Sequence, residues 1–118
     1  MTDPDRLAAY LDALGNWAVG GYVRFELKEH HHRWIERNLG SLEYREIKRL
    51  MFEFVKAGGK IDEVAEGPDW VKTYGFEFHY DLKFPVQGIP VFIETRLEYR
   101  LPFKADEPAI IVVSIHDK

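Results

Sequence analysis

From Phe76 to Phe84 the chain alternates residue by residue. Phe76, Phe78, Tyr80, Leu82 and Phe84 are apolar, and Glu77, His79, Asp81 and Lys83 between them are ionisable. The pattern returns as Val91, Ile93, Thr95, Leu97, Tyr99 and Leu101, set against Glu94, Arg96, Glu98 and Arg100. Successive side chains of a strand point to opposite faces, so each segment is a strand with one core face and one charged face. The short connection over residues 85–88 makes the two an antiparallel pair. A last strand is predicted over residues 109–116, after a loop over residues 102–108. Shorter strands are predicted over 22–27 and 61–66, the latter followed by a Gly67-Pro68-Asp69 turn.

Helical spacing occupies the first half of the chain. Asp3-Pro4 reads as an N-cap with proline at the first helical position. Leu7, Tyr10, Leu11 and Leu14 follow on one face, and Gly15 stops the helix. A short helix is predicted over residues 29–38, ending near Gly40. Ser41 then caps the strongest helix, residues 42–56, with Ile47, Leu50, Met51, Phe54 and Val55 as its apolar stripe; Gly58-Gly59 ends it. The order is helix, strand, helix, helix and four strands. It predicts an α+β fold of two layers, with N-terminal helices packed on one face of an antiparallel β-sheet meander. The helix over 42–56 is expected on the Phe76/Phe78/Tyr80 face. Residues 1–118 are expected to form a single domain, with 1–20 as helix and connector and 21–118 as the helix-on-sheet core.

Composition narrows the function classes. An apolar fraction of 46% with 14% aromatics supplies a core and argues against intrinsic disorder. The absence of cysteine excludes disulfides, a thiol nucleophile and Cys-ligated zinc. The longest apolar run, near Ala109 to Val113, is too short to span a bilayer. With an acidic start lacking signal-peptide features, this leads to the expectation of a cytoplasmic protein. The net charge of −4 argues against broad electrostatic attraction to nucleic acid, though a local basic patch remains compatible with it.

The charged strand faces carry the candidate chemistry. A tight hairpin would set His79 opposite Arg96 and Asp81 opposite Glu94. If the next connection closes around Ala105, Arg96 faces Ser114 and Glu94 faces His116. Two rows result: His79–Arg96–Ser114 and Asp81–Glu94–His116, with opposed Cβ atoms about 4.5–5.5 Å apart. A histidine titrating near neutrality serves as general acid or base. An arginine binds phosphate and stabilises a phosphorane, and a glutamate is a second candidate base. The same Glu/Arg alternation also makes an ordinary solvated, ion-paired surface.

His30-His31-His32-Arg33-Trp34 is the other concentration of chemistry. Neighbours on a helix point about 100° apart, so three successive histidines cannot share one metal ion, and no His-x-x-x-His spacing occurs. No metal and no cofactor are expected. A site assembled from His30–His32 with Glu94 or His116 is the one metal arrangement left open. Trp17, Trp34 and Trp70 are expected in the core or at its rim.

From Tyr22 onward the chain resembles small bacterial domains of the RelE-like ribonuclease fold, a group that includes toxins of toxin–antitoxin pairs. The resemblance rests on a strand, then His30 and Arg33 opening a helix, Glu36-Arg37, a second amphipathic helix, and a strand meander ending Ile111-Val112-Val113-Ser114-Ile115-His116. It implies metal-independent RNA cleavage, with His30, His79, Arg96 and Ser114 as counterparts of the family's catalytic groups. In that reading His79 or His30 moves the proton of the ribose 2′-hydroxyl and Arg96 stabilises the phosphorane. Arg33 or Arg100 grips the backbone, and Glu94 orients His116 or acts as base. RNA and a small protein partner, an antitoxin or a basic protein, are the implied partners. The alternative is a non-enzymatic interaction module, inhibitor-like or immunity-like, that docks through the charged sheet face or an exposed edge strand. A small-molecule binder trails both, because no phosphate loop or cofactor motif is present.

Overall fold

The structure, a computed structural model, describes residues 3–40, 42–69, 78–101 and 104–117, over 99–107 as backbone alone. The elements are α1 (Pro4–Gly15), β1 (Val23–Phe25), α2 (Glu29–Leu39), α3 (Tyr44–Lys56), β2 (Asp62–Ala65), β3 (Phe78–Val86), β4 (Ile89–Leu101) and β5 (Lys104–His116). The strands form one sheet in the order β1-β5-β4-β3-β2. The α+β, two-layer prediction holds, with the helices on one face of the sheet. One strand departs from the antiparallel meander: β1 runs parallel to β5, Val23 beside Ile110 and Phe25 beside Val112. The crossover through α2 and α3 makes that parallel edge possible.

Asp3 caps α1 as expected, its carboxylate accepting from the Asp5 and Arg6 amides at 2.8 and 3.3 Å. α3 begins at Tyr44 with Glu43 at its N-cap position and no side-chain cap bond; the expected cap, Ser41, lies outside the described residues. Trp70, Phe76 and Glu77 also lie outside them. The predicted 102–108 loop is a correction: β4 continues to Leu101 and β5 starts at Lys104. Pro108 pairs with Tyr99 next to a register irregularity, the kind of place where a sheet tolerates proline.

One core joins the two layers. Tyr10, Ala13 and Leu14 of α1, Ile35 and Leu39 of α2, and Ile47 and Met51 of α3 pack with Tyr80, Leu82, Ile93, Ile110, Val112 and Ile115 of the sheet. Leu50, Phe54 and Val55 complete the α3 stripe as partly buried neighbours, as do Trp17 and Trp34. α1 thus contributes Tyr10, Ala13 and Leu14 to that core. Arg6 ties α1 to the sheet edge, with Nε 2.8 Å from Glu63 and its guanidinium over the Phe78 ring. The β3–β4 turn is Gln87-Gly88, both at positive φ, the two-residue geometry whose twist suits a hairpin.

Candidate functional site

The helices occupy the core face, so the other face of the sheet carries the alternating charged residues. Strand parity puts His79, Asp81 and Lys83 of β3 there, with Glu94 and Arg96 of β4. The β3–β4 ladder contains the expected Asp81–Glu94 pair and runs from Tyr80↔Thr95 to Val86↔Ile89, stopping short of the expected His79–Arg96 pair. The β4–β5 register differs from the prediction. Glu94 pairs with Ser114, Phe92 with His116, and Arg96 with Ile111. Between Glu94 and Thr95 the ladder shifts by one residue of β5, leaving Val113 as a bulge. The bulge keeps Ile110, Val112 and Ile115 all on the core face, which strict alternation cannot do. It also turns Ser114 onto the charged face beside Glu94.

The start of α2 meets this face across β1 and β5. A cavity of about 340 Å³ opens there, lined by Glu26, Lys28, His30, His31, Glu66, Glu94, Arg96, Val113 and Ser114. Of the predicted site residues, His30, Glu94, Arg96 and Ser114 line this cavity. Arg96 reaches Glu26 at 3.2 Å across the cavity wall. The His30 and His31 rings lie 3.9 Å apart. His31 is half-buried, and its pKa falls below the usual histidine value. Burial is the main cause and the neighbouring His30 adds to it, against a hydrogen bond to the Ile115 backbone. A neutral imidazole in a cavity with an arginine is suited to accept a proton.

His79 takes another direction. Its Nδ1 is hydrogen-bonded to Glu66. Its Nε2 faces Asp81 Oδ2 at 3.5 Å and Glu94 Oε1 at 3.9 Å. Asp81 is only 5% exposed, and among the described residues its Oδ1 has no hydrogen-bond partner. Burial raises the Asp81 pKa above its ordinary value, Glu94 and Asp62 add to the rise, and His79 and Lys83 oppose it.

Besides His79, two predicted site residues among those described, Arg33 and His116, do not line the cavity. Arg33 stands on the exposed side of α2 and pairs with Glu29 at 3.3 Å. His116 stacks on Phe92 at the far end of β5, ring centroids 4.9 Å apart. The Arg100 side chain lies outside the described residues. Reading the sequence passed over His31, which matches its neighbours in type and differs only in burial. It also passed over the grouping of His79 with Asp81 and Glu94, whose signal was present: His79-x-Asp81 on one strand face and Glu94 directly across. No protein-family model, curated protein or solved structure matches the chain.

Proposed function

We propose that the protein is a ribonuclease of RelE-like type whose active site is the cavity between the start of α2 and the charged sheet face. The observation that carries this reading is the convergence of His30, His31, Arg96 and Ser114 on one cavity from three separate elements, α2, β4 and β5. The volume, about 340 Å³, suits a nucleotide-sized ligand. The element order on which the family resemblance rests is also the order of the folded chain from β1 onward.

In this mechanism neutral His31 takes the proton of the ribose 2′-hydroxyl. The 2′-oxygen attacks phosphorus, and Arg96 and the Ser114 hydroxyl hold the charge that develops on the non-bridging oxygens. His30 is the proton donor to the departing 5′-oxygen. The products are a 2′,3′-cyclic phosphate and a 5′-hydroxyl, and the two histidines exchange protonation states. Lys28 takes the backbone-gripping role expected of Arg33. None of these steps calls on a metal ion.

Purified protein incubated with RNA in EDTA tests the proposal. Cleavage to cyclic-phosphate ends is expected. Arg96→Ala and His31→Ala should each lower it by about 10²-fold or more at unchanged melting temperature. The acid limb of the rate profile should lie below the usual histidine range, because His31 must be neutral to act. Full activity in both variants removes this site. Tight binding to a basic protein without RNA turnover favours the interaction module.

A further inference from the structure

His79, Asp81 and Glu94 place one imidazole nitrogen and two carboxylate oxygens within 4.8 Å of one another. All three side chains rise from β3 and β4, two interior strands of the sheet, so the backbone holds their spacing. The Nε2–Oδ2 and Nε2–Oε1 separations of 3.5 and 3.9 Å are too long for good hydrogen bonds. They are close to the spacing of ligands around a shared ion: atoms each about 2.1 Å from a metal lie about 3.0–3.5 Å apart in octahedral or tetrahedral arrangements.

Two further features point the same way. Asp81 is more than nine-tenths buried, and among the described residues its Oδ1 has no hydrogen-bond partner. A buried carboxylate whose Oδ2 faces an imidazole beyond good hydrogen-bond distance and whose Oδ1 lacks a partner calls for a cation or a donor. Glu66, bonded to His79 Nδ1, occupies the place of the carboxylate that orients a metal-bound histidine. With Nδ1 bonded to Glu66, Nε2 is the ring nitrogen that can meet an ion between the two acids.

We propose that His79 Nε2, Asp81 and Glu94 form a site for one divalent first-row transition-metal ion, with Glu66 orienting the imidazole. The mixed nitrogen and oxygen donors favour Zn²⁺ or Mn²⁺ over Mg²⁺ or Ca²⁺. Three protein ligands leave coordination positions for water or substrate. Glu66 and Glu94 also border the cavity of the proposed ribonuclease site, so the ion would sit at its margin. The inference stands apart from the ribonuclease reading, because its readout is metal occupancy and not RNA cleavage.

The test is titration of EDTA-stripped, dialysed protein with Zn²⁺ by calorimetry and with Co²⁺ by visible absorption. One ion per chain is expected, with a ligand-field spectrum of mixed nitrogen and oxygen ligation and a rise in melting temperature on saturation. Asp81→Asn and Glu94→Gln should each weaken binding at least tenfold, and Glu66→Gln by about 10–100-fold. The melting temperature of each metal-free variant verifies its fold; if Asp81→Asn does not fold, Glu94→Gln decides. The proposal is overturned if no ion binds at millimolar metal. It is equally overturned if affinity survives the folded variants, or if it disappears in the His30→Ala/His31→Ala double variant while Asp81→Asn leaves it intact.

Discussion

Thr95 and Asp81 face opposite sides of the sheet, both buried, and their hydrogen bonding differs sharply. Thr95 donates to the Tyr80 carbonyl at 2.7 Å and pairs with the Tyr10 hydroxyl at 2.8 Å. This polar group deep in the core is fully satisfied, so it costs little and links α1 to the sheet. Asp81 has no such arrangement for Oδ1, and its raised pKa means that folding favours the protonated acid. The sign follows: this group's contribution to stability declines as pH rises from the unfolded carboxylate value through the higher folded one. Once ionised, the side chain is a burden. Asp81→Asn should therefore stabilise the metal-free protein by about 1 kcal/mol at pH 7, read by urea denaturation. A clear loss of stability would show that a partner already compensates the charge.

At the scale of elements, α3 is the clamp on the β3 end of the sheet. Phe54 stacks on Phe84 with ring centroids 4.8 Å apart. Gly59 then passes so close that a Cβ there would sit 2.5 Å from the Phe54 ring and carbonyl. Phe54→Asp removes this contact and brings a charge to the core, a cost of at least about 3–5 kcal/mol. That rivals the whole stability of a domain of this size, about 5–15 kcal/mol. Loss of the cooperative thermal transition in circular dichroism is the expected result; a sharp transition at the wild-type temperature would show that α3 is not a clamp. The α3 stripe and both long strands were legible because their apolar periods, 3.6 and 2, are unambiguous. The Asp81–Glu94 register was legible because a two-residue turn fixes it. β5 was not, because Ile110 to Val113 is apolar throughout and gives no parity against which to detect the Val113 bulge. The result displaced Ser114 and His116 from their expected rows. The parallel pairing of β1 with β5 depends on contacts remote in sequence, which local pattern does not encode.

For the whole molecule, the decisive feature is the division of the sheet into a helix-covered side and a charged side. The charged side is acid-rich: Glu26, Glu66 and Glu94 outnumber Lys28 and Arg96 in the cavity, in keeping with the net charge of −4. Nucleic acid would therefore be held by local contacts at Arg96 and Lys28 rather than by a long-range field. No helix among the described residues is long and apolar enough to cross a membrane. The outer strands are short, β1 of three residues and β2 of four, which limits edge-to-edge pairing. The α2-side cavity is the feature of this face on which the proposed ribonuclease function rests. The most direct test is an amide chemical-shift titration with a 2′-deoxy dinucleotide, which lacks the attacking hydroxyl and is not cleaved. The predicted result is a saturable set of shifts at residues 26–31, 94–96 and 113–114. Shifts confined to the helix layer, or none at millimolar ligand, would contradict the account.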